Sequence, residues 1–81
     1  MKKGDIVYFA RVVPNLLYEV LELKIRTVAE DWFVGTDKDS KHAHLLDNSS
    51  IDNYVFYDRK KAVKYVVDAE KMRTRSFTEI E

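Results

Sequence analysis

Hydrophobic and polar positions alternate with period two over most of the chain. In GDIVYFARVV (Gly4 to Val13), Ile6, Tyr8, Ala10 and Val12 fall on one face of an extended segment. Val7, Phe9, Arg11 and Val13 fall on the other. Pro14-Asn15 ends that strand. LLYEVLELKIRTVAE (Leu16 to Glu30) is rich in helix formers, but its period argues for a strand. Leu17, Leu21, Leu23 and Ile25 share one parity, while Glu22, Lys24 and Arg26 share the other. That is a long strand with one wet face. Glu30-Asp31 is the next turn. WFVGTD (Trp32 to Asp37) reads as a third strand whose Gly35 marks a bulge, a bend or a close backbone approach. HAHLL (His42 to Leu46) reads as a fourth strand, DNSSIDN (Asp47 to Asn53) as a loop or single helical turn, and YVF (Tyr54 to Phe56) as a short fifth strand.

The period changes after Asp58. Ala62, Val63, Tyr65, Val66, Ala69 and Met72 cover one arc of a helical wheel, and Lys60, Lys64 and Lys71 lie opposite it. Asp58 is the N-cap, because its carboxylate can accept from otherwise unpaired backbone N–H groups. Val67 falls beside the lysines, as an exposed apolar residue. The helix is expected to fray at Met72 to Thr74, leaving Arg75 to Glu81 as a tail anchored by Phe77. This gives an α+β fold: a four- or five-stranded antiparallel, barrel-like (SH3-like) sheet with one C-terminal helix. The expected domain spans residues 1–73 and the tail residues 74–81.

Composition narrows the class. The chain has 81 residues, enough for one modest core. It has no cysteine, which rules out disulfides and thiolate metal clusters and fits a reducing, cytoplasmic setting. The start, MKKGDIVYF, has no apolar run of signal length, and no stretch has the length of a membrane span. The expected setting is therefore soluble and cytoplasmic, without a membrane. Fourteen basic residues balance fourteen acidic ones. The balance hides a basic segment. Arg59, Lys60, Lys61, Lys64, Lys71, Arg73 and Arg75 are opposed only by Asp68 and Glu70.

Catalytic signals are weak. DKDSKHAH (Asp37 to His44) places both histidines two apart, where they share a strand face and with Asp37 or Asp39 offer nitrogen and oxygen ligands to zinc or nickel. The same composition is that of an ordinary turn, and the turn is the preferred reading, with no metal. The spacing does not fit a calcium-binding EF-hand loop. Ser40, Ser49, Ser50 and Ser76 have no nucleophile elbow around them. Two glycines build no phosphate-cradling loop. The chain reads as a non-enzyme with no cofactor.

The string VFYDRKKAVKYVVDAEKM (Val55 to Met72) resembles the ending of a large group of short, uncharacterised proteins from phages and mobile elements of Gram-positive bacteria. The matching features are Val55-Phe56, Asp58 and Ala62. ELKIRTVAEDWFVGTDKDSKHAHLL (Glu22 to Leu46) is similar to members of the same group. The resemblance implies a small β-barrel with a C-terminal helix and a mobile-element origin. It brings no catalytic residue with it.

Two functional readings remain. The first is a non-catalytic phage or mobile-element accessory protein that binds a host protein stoichiometrically, inhibition of a host defence enzyme being one such role. Ten aromatic residues in so short a chain leave some outside the core as interface anchors. Sheet edges leave dimerisation open. The alternative is a small nucleic-acid-binding domain that uses the basic helix, with Tyr8, Phe9, Tyr18, Trp32, Tyr54 and Tyr57 as stacking faces. The expected binding residues are Lys60, Lys64, Val67 and Lys71 on the helix, with Lys24 and Arg26 on the sheet.

Overall fold

The computed structural model describes residues 1–80, with side chains over 1–72. Five strands form one open antiparallel sheet: β1 (Ile6–Val13), β2 (Leu17–Val28), β3 (Trp32–Asp37), β4 (Ala43–Asp47) and β5 (Val55–Phe56). They are followed by a helix, α1 (Arg59–Ile80). The strand order is β4-β3-β2-β1-β5. The first four strands form a meander, and the chain then crosses from β4 to the far side of β1, where β5 pairs antiparallel. The α+β class and the barrel-like sheet are those expected.

The turns follow from local chemistry. Val13-Pro14-Asn15-Leu16 closes with Leu16 N–H donating to Val13 O, and Asn15 takes the positive φ (67°) that the third position of such a Pro-led turn requires. At the β3–β4 hairpin, Asp37 N–H donates to His42 O and Lys41 N–H to Asp37 O, with Lys41 at φ 65°. Asn48 ties two loops together. Its side-chain amide donates to Glu30 O at 2.7 Å and its backbone N–H to Asp31 O at 2.9 Å.

Each face of the sheet has its own core. On the inner face, Val7, Leu23, Ile25, Phe33 and Val55 are fully buried, with Phe9, Leu21, Leu46, Ile51 and Tyr54 against them. The sheet curls enough for Phe9 of β1 to meet His44 of β4 ring-to-edge, with centroids 5.9 Å apart. Gly35 makes that curl possible. It pairs with Ile25 beside the β2 bulge, and a Cβ added there would lie 2.9 Å from Leu23 Cβ. Both readings of Gly35, bulge and close approach, therefore apply to this one region.

Over β1, β5 and the first half of β2 the outer face is covered by α1, where Ala10, Phe56, Ala62 and Val66 are buried among Tyr8, Val12, Tyr18 and Val20. This corrects the expected wet face of β2. Only its Glu22–Arg26 half is wet, and Tyr18 and Val20 on the same parity lie under the helix. The buried stripe of the helix is also narrower than the expected arc. Ala62 and Val66 are buried and Ala69 half-buried, whereas Val63 and Tyr65 are exposed and Met72 is 69% exposed. Two alanines, Ala10 and Ala62, let the helix lie close over β1, so one line of small side chains suffices for the contact. The helix does not stop at Met72 to Thr74. It runs to Ile80, through the residues expected as a tail. The segment holds no glycine or proline to end it. Phe77, the expected anchor, lies outside the described side chains.

Candidate functional site

A groove runs between the N-terminal half of α1 and the sheet. It is lined by Tyr8 of β1, Tyr57 and Asp58 of the connection, and Arg59, Lys60, Val63, Lys64 and Val67 of the helix. The capping geometry explains why the helix starts here. Asp58 accepts from Lys60 N–H at 2.9 Å, which satisfies one of the first-turn donors. Ala62 and Val66 then turn into the sheet. The i, i+3, i+4, i+7 stripe Lys60, Val63, Lys64, Val67 is left along the groove wall. Val67 is 41% exposed and Tyr57 50% exposed. Lys60 and Lys64 have no carboxylate partner among the described residues. The described ion pairs join Arg11 to Glu19 and Lys38 to Glu22. The groove therefore joins apolar valine and tyrosine surface to the lysines of its helix wall.

Of the residues expected to bind, Lys60, Lys64 and Val67 come together here. Lys71 lies one turn beyond Val67 on the same stripe, outside the groove lining. Lys24 and Arg26 do not join them. They line a separate depression with Lys3, Gly4, Ile25 and Thr36, which shares no residue with the groove. From the sequence, Tyr8 and Tyr57 are expected only as stacking faces. Their place in the groove depends on the path of a helix some fifty residues after β1, and no local pattern carries that. Phe9 and Tyr54 belong to the inner core, and Tyr8 and Tyr18 are half-buried beside the helix. Trp32 and Tyr57 are the exposed ones among the six candidates.

DKDSKHAH is a turn. Asp37, 6% exposed, accepts from Asp39 N–H at 2.8 Å. That bond, with weaker ones from Ser40 and the nearby His44, holds its carboxyl below the usual range despite burial. His42 precedes the first residue of β4, Ala43, so only His44 lies on the strand. Among the described residues, no three His, Cys, Asp or Glu side chains gather as metal ligands. Ser50 is buried with its hydroxyl donating to Asp47 O at 2.6 Å. Asp47 in turn caps the short 3-10 turn Asn48–Ser50 by accepting from Ser49 N–H, which lowers its own pKa. No helix among the described residues is long and apolar enough to cross a membrane. No protein-family model, curated protein or solved structure matches the chain.

Proposed function

We propose that the protein is a non-catalytic binding module whose α1 groove docks a protein segment bearing apolar and acidic side chains. The observation that carries this reading is the gathering of two exposed valines, Val63 and Val67, with Lys60, Lys64, Tyr8 and Tyr57 in one groove lining. Lysines alone would serve a phosphate backbone, which is recognised by charge. Valines at the same surface gain from burial only against an apolar partner. The resemblance of Val55 to Met72 to phage and mobile-element proteins supports an accessory role, in which the chain binds a host protein stoichiometrically. Blocking a host defence enzyme is one such role.

The test is affinity capture from a Gram-positive bacterial lysate, with and without nuclease and at two salt concentrations. The wild-type chain is compared with Lys60→Glu/Lys64→Glu, with Val67→Asp and with Lys41→Glu in the distant hairpin. The expected result is one protein retained through nuclease and salt, lost with the two groove variants and kept by Lys41→Glu. Retention that disappears with nuclease would favour nucleic acid instead. Retention unaffected by the groove variants would remove the groove from the account.

A further inference from the structure

The two edges of the sheet differ. β5 is two residues long and buried, and α1 begins three residues after it. β4 is five residues long and alternately exposed and half-buried, with no lysine, proline or bulge to discourage pairing and its one carboxylate, Asp47, at the end. The ladder fixes which of its backbone groups are free. Asp37 N–H donates to His42 O and Asn48 N–H to Asp31 O, one at each end of the β3–β4 register. Antiparallel pairs alternate, so Gly35–His44 and Phe33–Leu46 are the hydrogen-bonded pairs between them. Ala43, Leu45 and Asp47 then turn their N–H and C=O groups to the open edge. The bond from Ala29 N–H to Trp32 O, on the opposite side of β3, has the matching parity.

The same three residues carry side chains on the outer face. There Leu45 is 69% exposed beside Val34, with Trp32, 42% exposed, next along β3. An open hydrogen-bonding edge and an uncovered apolar strip thus coincide.

We propose that β4 is a self-association edge, at which two copies pair antiparallel with Leu45 on the two-fold axis. This is the register that pairs all five residues of the strand. It places Leu45 against Leu45 of the second copy, Ala43 against Asp47 and His44 against Leu46. No like charges are opposed, and the N–H and C=O groups of Ala43 and Leu45 meet those of Asp47 and Leu45 of the second copy, the Asp47 carbonyl also accepting from the Ser50 hydroxyl. The contact is isologous, so it closes at the dimer and leaves no edge for further growth. One short strand with an apolar flank makes a small interface, which implies a weak, reversible dimer. The α1 groove, on the other side of the sheet order, plays no part in the pairing.

The absence of cysteine gives a clean test. In the proposed register the two Leu45 Cα atoms face each other at about 5.5 Å, the spacing of a hydrogen-bonded pair. That lies within the range of about 4.4–6.8 Å for a disulfide. The two Ala43 Cα atoms are about 13 Å apart, at four residues of strand rise. Under mild oxidation, Leu45→Cys is expected to crosslink to a dimer and Ala43→Cys to remain monomeric. Sedimentation of the wild-type chain is expected to show a concentration-dependent dimer. Leu45→Lys should weaken it by on the order of tenfold or more, with its thermal midpoint in dilute solution unchanged. A chain that stays monomeric at all concentrations with no preferential crosslinking would overturn the proposal. So would equal crosslinking of both variants, or a dimer that survives Leu45→Lys.

Discussion

The edge at β5 and the edge at β4 belong to one sheet, yet they show opposite ways of ending it. At β5, the chain supplies its own cover. Val55 and Phe56 are buried, Ala10 N–H donates to Tyr54 O at 2.8 Å, and α1 lies over β1 through Ala62 and Val66. At β4, the outward-facing Leu45 and the free backbone groups meet solvent. The lesson is that α1 does two things at the same edge. Its small-residue stripe closes the sheet, and the neighbouring stripe of Lys60, Val63, Lys64 and Val67 forms the groove wall. Among the described residues the other edge has no such element.

Four substitutions and one condition break or sharpen this contrast. The largest effect is expected from Val55→Ala at the closed edge. Val55 is fully buried in the inner core, and its truncation should cost about 2–3 kcal/mol in denaturant unfolding through lost burial and a residual cavity. Next is Gly35→Ala. A methyl group 2.9 Å from Leu23 Cβ must push strand β3 away from β2, at a cost of about 1–3 kcal/mol. It should also disturb the β4 edge, which hangs on β3.

Asp37→Ala removes the turn's carboxylate acceptor and should cost about 1 kcal/mol by the same measurement. The pH dependence has a definite sign. The carboxyls of Asp37 and Asp47 titrate lower in the folded chain than in the unfolded one, so near pH 4 the unfolded chain holds more protons. Their contribution is complete above the ordinary carboxylate pKa and is lost as pH falls through the depressed folded values. Thermal midpoints should therefore fall below about pH 4, and Asp37→Ala should flatten that fall. The smallest effect belongs to Leu45→Ala. At the open edge of a dilute monomer it should change stability by less than about 0.5 kcal/mol, despite removing more carbon than Val55→Ala.

The strands were legible in the sequence because their period-two alternation is a direct consequence of a one-sided core. Trp32 to Asp37 matches β3 residue for residue, and Pro14-Asn15 and Asp39 to Lys41 have turn composition where the chain turns. Gly35 announced a close approach without saying to what. The wet face expected of β2 holds for Glu22, Lys24 and Arg26 but not for Tyr18 and Val20, because a parity alone does not tell solvent from a helix packed on that face. The helix end was misread because basic residues and a serine look like a tail, although no residue there breaks a helix. His42 was assigned to β4 because turn and strand boundaries depend on hydrogen bonds that composition does not encode. The groove was half legible. Lys60, Lys64 and Val67 come from one helical wheel, but Tyr8 and Tyr57 join them only through the tertiary path. The open edge was least legible, since which strand ends the sheet depends on strand order.

Backbone amide exchange, followed residue by residue over a range of protein concentrations, tests the contrast between the edges most directly. In dilute protein, Ala43 and Leu45 are expected to exchange fast while His44 and Leu46, bonded to β3, and Ala10, bonded to Tyr54 O, exchange slowly. As concentration rises, Ala43 and Leu45 should gain protection and Ala10 should not change. Ala43 and Leu45 amides as protected in dilute solution as those of His44 and Leu46 would contradict the account, because β4 would then be a covered strand and the sheet would have no open edge.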